Sequence, residues 1–463
     1  MATVLFRGLT WRTLTLIAFE TALLVGAVFL GAYLRLGSVA WDDLTMGGLL
    51  GKSLVISAVV QLCLYYNELY DMRLVRDHRE LAVRTLQALG ASSLVLGSMY
   101  FFFPDLVIGR GVFLIAAAFV MIGVTAWRLV FEFAARHIAP RERILLVGTN
   151  QAAIALAREL LERSELGVRI VGFVDPDPAK VATPILNTGI TGGIDDIPRI
   201  VHEQKVDRVV VSLVEARGKL PMERLLEMKL AGVRFDHLAS VYEEYTGKIA
   251  VENLRPSWLI FSAGFEKSSV ANSLKRAFDI GLSIAMSIVL LPIMAATALA
   301  VKLTSPGPAV YSQERVGADG GTFTIYKFRS MRQDAEAATG AVWSQKNDPR
   351  ITPWGRFMRR TRLDELPQLW NVVRGDMSFV GPRPERPKFV AELTEQIPFY
   401  GLRHAVKPGL TGWAQVRYTY GASVEDALEK LQYDLFYIKH MSAAMDFYIL
   451  FETIKTVVLR RGA

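Results

Sequence analysis

The sequence predicts a membrane α plus α/β protein: a four-helix transmembrane bundle, a Rossmann-like parallel-sheet domain, and a last α/β block tethered by a re-entrant membrane helix. Three observations predict it. Four apolar runs, each near the about 20 residues that cross a bilayer, crowd the first 135 residues. Beyond Arg141 and Arg143, short apolar strands alternate with helical stretches, which is the pattern of a parallel sheet. A fifth apolar run, Ile280–Val301, carries Pro292 at its middle and Lys or Arg on both flanks. The expected domains are therefore 1–135, 136–265 and 266–463, with the re-entrant helix at about 274–303.

Composition agrees with a membrane protein. The chain has 463 residues, 51% of them hydrophobic, and a mean hydropathy of +0.27. A net charge of +8 is modest for this length and points to no nucleic-acid partner. Cys63 is the single cysteine, so no disulfide within the chain is available and nothing argues for an oxidising compartment. Histidine is scarce, and no His/Cys cluster suggests zinc.

The four runs are Thr13–Leu34, Leu49–Tyr70, Val83–Phe103 and Val112–Phe133. The first is too long for a signal-peptide core and reads as a retained helix. Arg7 and Arg12 precede it, and Arg73, Arg76, Arg79 and Arg84 lie between the second and third runs. The loop 37–47 holds no Lys or Arg, only Asp42 and Asp43. The positive-inside rule then puts both ends of the bundle in the cytoplasm. Glu20, a charge within the first helix, is either functional or a helix–helix contact.

In the middle domain, Ile144–Val147, Val168–Val174 and Arg208–Leu213 read as strands. The turn after the first strand runs from Gly148 to Ala153. A dinucleotide fingerprint would want glycine at Asn150 and Ala153. Asp175 stands where a ribose-binding acid could be. The missing glycines disfavour NAD, so a structural or regulatory role is expected and no cofactor-binding residue is assigned.

Two arguments set the fifth apolar run apart from a span. Pro292 should kink it. Lys275 and Arg276 before it, and Lys302, Arg315, Lys327, Arg329 and Arg332 after it, hold both ends on one side. Gly320-Gly321 then predicts a hairpin between two strands. In the second strand Lys327 and Arg329 alternate with Tyr326 and Phe328, which puts both cations on one face, turned toward the carboxylates that follow.

Those carboxylates are Asp364 and Glu365, in the stretch RLDELPQLWNVVRGDMSFVGPRPE from Arg362 to Glu385. Leu363, Leu366, Leu369 and Trp370 recur behind them at helical spacing. Proline is tolerated in a first helical turn, so Pro367 places the helix start at about Asp364. An isolated Asp-Glu pair reads first as a helix cap and a solvated neighbour. Here Arg362 and Arg374 flank the pair, and a rigid Gly381-Pro382-Arg383-Pro384 turn follows. Lys407–Val416, KPGLTGWAQV, suggests a tight loop with Trp413 as an aromatic anchor at the membrane surface. Met441–Leu459 reads as an amphipathic interfacial helix.

An acid pair within an Arg/Lys set beside a membrane suits phosphoryl transfer. A divalent ion on the carboxylates neutralises phosphate, arginines bind developing charge, and a lipid is the expected second substrate. KFRSM at 327–331, LDELPQLWNVVRGDMSFVGPRP at 363–384 and KPGLTGWAQV at 407–416 resemble the bacterial sugar transferase family, the monotopic polyprenyl-phosphate phosphoglycosyl transferases. The strong likeness covers Ser273 to the C-terminus. The bundle and sheet domain resemble the long form of that family. The stretch from Tyr420 to Ser442 resembles the branch found in exopolysaccharide clusters linked to PEP-CTERM protein sorting.

The resemblance implies transfer of a sugar 1-phosphate from a UDP-sugar to undecaprenyl phosphate, with release of UMP, on the cytoplasmic face of the bacterial inner membrane. It implies Asp364 as nucleophile, Glu365 as its partner, Mg²⁺ at the pair, and phosphate binding by Lys327, Arg329, Arg362 and Arg383. The family's re-entrant helix often breaks at Ser-Pro; here Leu291 precedes Pro292. A homodimer through the bundle or the middle domain is expected. Three other readings stay open: an NAD-dependent nucleotide-sugar enzyme, a non-enzymatic scaffold that binds lipid phosphates, and a polytopic sugar-phosphate transferase in which the segment around Pro292 spans.

Overall fold

The computed structural model describes residues 11–38, 48–67, 69–70, 78–137, 141–163, 166–212, 222–251, 262, 264–265, 268–333, 335, 348–418, 421 and 423–458. The chain divides into two compact units, Met1–Asp236 and His237–Ala463.

The first unit opens with α1 (Trp11–Leu36), α2 (Leu49–Tyr66), α3 (His78–Phe102) and α4 (Arg110–His137). Each contains a stretch long and apolar enough to cross a membrane. Leu24, Val28, Leu64 and Val124 face inward and are buried, whereas Leu94, Leu114 and Ile122 are 76%, 69% and 66% exposed. Apolar surface on the outside as well as the inside is what a lipid solvent requires. Gly31 lets α1 approach α4 closely: a β-carbon there would stand 3.1 Å from the Ala116 nitrogen and the Val112 carbonyl. Small residues at helix contacts serve this purpose in membranes. The orienting charges Arg7, Asp42, Asp43, Arg73 and Arg76 lie outside the described residues.

Glu20 has a structural partner. The Arg128 guanidinium lies 2.7 Å from Glu20 Oε1 through Nε and donates to Oε2 through Nη2 at 3.1 Å. Tyr70 also donates to Oε2, at 2.5 Å, and Arg128 Nη1 donates to the Leu69 carbonyl. Both charged side chains are almost wholly buried. The pair therefore ties α1 to α4 with its charge compensated.

The sheet of this unit has, among the described residues, the order β3-β2-β1-β4-β5. Its strands are β1 (Glu142–Val147), β2 (Val168–Val174), β3 (Ile190–Gly192), β4 (Arg208–Val211) and β5 (Arg234–His237), with α5 (Gln151–Glu162), α6 (Ile197–Glu203) and α7 (Met222–Leu230) between them. β1 pairs in parallel with both β2 and β4. The strand order reverses at β1, so the crevice where such folds take ligands lies between β1 and β4. Asn150 laces that crevice shut. Its Oδ1 caps α5 by accepting from Ala153 N at 2.9 Å, its Nδ2 donates to the Ser212 carbonyl at 2.9 Å, and Ser212 Oγ donates back to Oδ1 at 2.7 Å. Asp175 is held by the Thr149 hydroxyl and the Lys180 ammonium.

The second unit begins at His237. The reason is α8 (Leu238–Thr246), whose buried Glu243 pairs with Lys439 at 2.7 Å and with His440. Trp413 Nε1 also donates to the Gly247 carbonyl at 2.9 Å. Then come α9 (Ser269–Thr304), the antiparallel pair β6 (Val310–Val316) and β7 (Thr322–Phe328), α10 (Pro353–Thr361), α11 (Gln368–Arg374), β8 (Ser378–Val380), α12 (Pro387–Gln396), β9 (Gly409–Thr411), α13 (Trp413–Arg417), α14 (Val424–His440) and α15 (Ala443–Val458). The turn joining β6 to β7 contains Gly320-Gly321, as expected. In α9 the helix continues on both sides of Pro292.

Truncating Arg128 strands Glu20 as a buried, uncompensated charge. Arg128→Leu is expected to cost about 3–5 kcal/mol and to lower the thermal denaturation midpoint in detergent. Glu20→Leu combined with Arg128→Leu should recover most of the loss, because an apolar pair of similar volume is commonly neutral.

Candidate active site

The site is built where β7, a 3₁₀ turn and the Gly381–Pro384 turn meet. α10 is capped by Thr352, whose Oγ1 accepts from Gly355 N at 2.9 Å. It ends at Arg362, which adopts the left-handed conformation with φ 58°. That reversal is why the expected helix does not start at Asp364: Leu363–Glu365 form a 3₁₀ turn, and the α-helix begins only at Gln368, after Pro367. Asp364 is thus a residue of the turn before the helix, not its cap.

Asn371 locks this turn onto the strand. Wholly buried, its Oδ1 accepts from Tyr326 N at 3.1 Å and its Nδ2 donates to the Thr324 carbonyl at 2.7 Å. It pairs with β7 as a neighbouring strand would. Arg276 on α9 donates to the Val372 and Val373 carbonyls at 2.6 and 2.8 Å, satisfying orphan acceptors at the end of α11. Neither of these roles is legible in the sequence, because each side chain acts on a backbone about 45 or 100 positions away.

Glu365 is the electrostatic centre. It is buried, and both its oxygens are taken. Oε1 accepts from Arg383 Nη2 at 2.9 Å and from Lys327 Nζ at 3.3 Å, and Oε2 accepts from Arg362 Nη1 at 3.2 Å. Burial alone would raise its carboxyl, but Arg383, Lys327 and Arg362 outweigh it and hold the group well below the usual carboxylate range. Asp364 is the opposite case. Burial and then the charge on Glu365 raise it, against the pull of Lys327, Arg359 and Arg362. Its Oδ1 is buried and has no hydrogen-bond partner among the described residues. One carboxylate is thereby locked and compensated, and its neighbour keeps an oxygen unpaired. Four cations (Lys327, Arg359, Arg362, Arg383) face two carboxylates, an excess of two positive charges that suits a diphosphate.

Arg383 is held from behind. Its carbonyl accepts from Arg403 Nη2 at 3.0 Å, and the same nitrogen donates to Asp434 at 2.8 Å. Arg403 and Asp434 are both buried. The turn itself is packed backbone against backbone. A β-carbon at Gly381 would strike the Lys407 carbonyl, and one at Gly409 or Gly412 would strike Gly381. The glycines of the two motifs are thus required by one close approach, where β8 pairs with β9.

Several expected positions differ. Arg329 does not join the carboxylates: β7 ends at Phe328, and Arg329 Nη2 instead donates to the Ser305 carbonyl at the end of α9, at 2.8 Å. Trp413 is no surface anchor. It is 7% exposed and stacks on Phe436, with Arg417 over its ring. Trp370 is exposed, at 60%, although it shares a helix with the buried Leu369. Arg359, which the sequence reading passed over, faces Asp364 and donates to Ser330 Oγ at 2.9 Å.

A magnesium ion would be shared between the Asp364 carboxylate and phosphate oxygens of a substrate. It fits Glu365 less well, whose oxygens already serve three cations. Among the described residues no group of three His, Cys, Asp or Glu side chains gathers as a metal cage.

The sequence model of the family described as bacterial sugar transferase matches residues 270–460, and one described as a CoA-binding domain matches residues 66–220. The UDP-glucose:undecaprenyl-phosphate glucose-1-phosphate transferase of Escherichia coli (strain K12) is 34% identical over 334 residues, covering 69% of this chain and 68% of the relative. The chain belongs to the bacterial sugar transferase family. The same-named transferase of Xanthomonas campestris pv. campestris is 34% identical, covering 70% of this chain and 68% of that one. The UDP-N-acetylgalactosamine-undecaprenyl-phosphate N-acetylgalactosaminephosphotransferase of Aeromonas hydrophila is 40% identical over 260 residues, covering 56% of this chain. The chain spans 60% of that relative's length, and 60% of the undecaprenyl-phosphate glucose phosphotransferase of Komagataeibacter xylinus. The sugar transferase match takes in all of the cation set and both carboxylates.

Burial pushes the Lys327 ammonium down to about 8, with Glu365 opposing. The cation is therefore present below about pH 8 and lost as pH rises through it. If Lys327 binds the donor phosphates, kcat/KM should fall on the alkaline side with a midpoint near that value, and Lys327→Arg should carry the limb to higher pH. A pH–rate profile of both proteins checks this.

Proposed function

We propose that this bacterial sugar transferase moves a sugar 1-phosphate from a UDP-sugar to undecaprenyl phosphate and releases UMP. The observation that carries the reading is the unpaired, buried Oδ1 of Asp364 inside a set of four cations. In the first step that oxygen attacks the β-phosphorus of the donor. The bond from that phosphorus to the bridging oxygen breaks, UMP leaves with the electron pair, and a phosphosugar–aspartate is formed. In the second step a phosphate oxygen of undecaprenyl phosphate attacks the same phosphorus, and the Asp364 carboxylate is released. Lys327, Arg362 and Arg383 bind and orient the diphosphate, and Arg359 adds charge on the Asp364 side. Glu365, already saturated, holds those cations in register. With donor phosphate oxygens, Asp364 would hold Mg²⁺, which would neutralise charge on the diphosphate.

The membrane arrangement follows the same logic. We place α1–α4 across the inner membrane as a four-helix bundle, with the site on the cytoplasmic face. α9 is read as re-entrant. A straight helix of its 36 residues would be about 54 Å long, and a span would carry its ends to opposite sides of the bilayer. Both ends instead rest on the one α/β unit. Near the start, Lys275 pairs with Asp446 at 2.7 Å; near the end, Val301 packs with Phe328 and Met358. Between them Ile288, Val289 and Leu291 are 69%, 73% and 62% exposed. A cysteine placed at Ser305 should react with a membrane-impermeant maleimide only from the cytoplasmic side; labelling from outside would make α9 a span. A homodimer is also proposed, and cross-linking in membranes that traps only monomer would remove it.

An NAD-dependent reading is disfavoured by the Asn150–Ser212 bridge across the β1–β4 crevice. The relatives' names carry N-acetylgalactosamine in one case and glucose in others, so the donor is best found by a panel. Sustained UMP release, beyond one equivalent per enzyme, should require one UDP-sugar, undecaprenyl phosphate and Mg²⁺, and Asp364→Asn should lower it by about a thousandfold or more. Wild-type-like release from Asp364→Asn would remove Asp364 as the nucleophile, and no release with any donor from folded protein would leave the scaffold reading standing.

A further inference from the structure

We propose that Gln368 is a further catalytic residue, whose side-chain amide donates to a non-bridging oxygen of the phosphoryl group while Asp364 carries that group. This inference rests on the transfer reading above. Gln368 is 3% exposed, and its Nε2 is buried with no hydrogen-bond partner among the described residues. A buried amide nitrogen without an acceptor costs stability. Such groups are rare, and one that persists calls for an explanation outside the fold's own bonding.

The neighbours of Gln368 sharpen the contrast. From Leu363 the backbone stays right-handed through Leu366 and Pro367 into α11. Asp364, Glu365, Gln368 and Asn371 therefore recur at three- and four-residue spacing, and all four are buried. Asn371, three residues on, carries the same functional group and bonds through both ends of it to β7. Glu365, three residues back, has both oxygens on cations. Gln368 lies between them with its donor unused. Asp364 stands four residues back, with Oδ1 buried and likewise unpaired. A donor and an acceptor on successive turns thus lack partners and are not bonded to each other. A phosphoryl group matches both: its phosphorus takes the electron pair of Oδ1, and its oxygens accept from Nε2. β-Carbons at this spacing lie about 5–6 Å apart, so an oxygen one bond from that phosphorus falls within reach of a glutamine. The sugar hydroxyls are several bonds further out. A fixed donor in a buried site stabilises charge on those oxygens more than water would.

The test uses the full chain in phospholipid nanodiscs and Gln368→Met, which keeps the length of the side chain and removes the donor. Without lipid acceptor, the first equivalent of UMP is followed by rapid quench. At saturating UDP-sugar it should appear about a hundredfold more slowly in the variant. The donor concentration for half-maximal rate should move by less than about threefold, since the interaction belongs to the transition state. The thermal denaturation midpoint should hold or rise, because a buried donor without a partner has been removed. A lower midpoint makes Gln368 a structural residue and overturns the proposal, as does an unchanged first turnover. A donor with sulfur in place of one non-bridging β-oxygen locates the contact. In one diastereomer it should slow the unmodified protein, and that penalty should shrink in Gln368→Met, as coupled groups require. An equal penalty in both proteins moves the amide's partner off the phosphoryl group and overturns the assignment. No UMP from the unmodified protein with any donor defeats the transfer reading and this inference together, whereas a first turnover that Gln368→Met leaves intact defeats this inference alone.

Discussion

A buried carboxylate cannot stay ionised unless its charge is met, and the burial of Glu365 imposes that demand on the whole α/β unit. Lys327, Arg362 and Arg383 meet it, and each comes from a different piece of chain. β7 must therefore be held to α11, which Asn371 does. The chain must reverse at Arg362, which its left-handed backbone does. The turn carrying Arg383 must be rigid, which the glycine-on-glycine contact and the Arg403–Asp434 pair achieve. Losing any one cation takes a hydrogen-bond donor from the buried Glu365, so these supports are coupled.

The same arrangement divides labour between adjacent residues of like chemistry. Glu365 takes the hydrogen bonds, and Asp364 is left with an oxygen that no donor among the described residues reaches. A carboxylate oxygen free of donors keeps its electron pair available, and the surplus of positive charge draws phosphate toward it. Charge compensation and reactivity are thus separated across one peptide bond. The buried Glu20–Arg128 pair follows the first half of that rule only: both partners are matched to each other, and nothing there is left open.

Asn150 shows how a fold can keep its architecture without the ligand site associated with it. The sheet has the doubly wound order, yet the side chain that replaces a glycine caps α5 and bridges to Ser212 across the crevice. The sequence already disfavoured a pyrophosphate there on steric grounds. The structure adds that the residue is in use.

What the sequence determined by itself was local: the apolar runs, the first, second and fourth strands of the sheet, the β6–β7 hairpin, and the residue types of the site. Each is written as periodicity, length or turn chemistry within a short window. β3 and β5 escaped because one has three residues and the other reads Arg-Phe-Asp-His, too short or too polar to show a pattern. Only the tertiary structure decided which charges meet. Glu20 finds Arg128 at a separation of 108 positions, Lys327 reaches Glu365 while Arg329 turns to Ser305, and Trp413 is buried while Trp370 is exposed. Those outcomes depend on how elements distant in sequence pack and on where a strand or helix ends, and a one-residue shift in a strand reverses the face a side chain occupies.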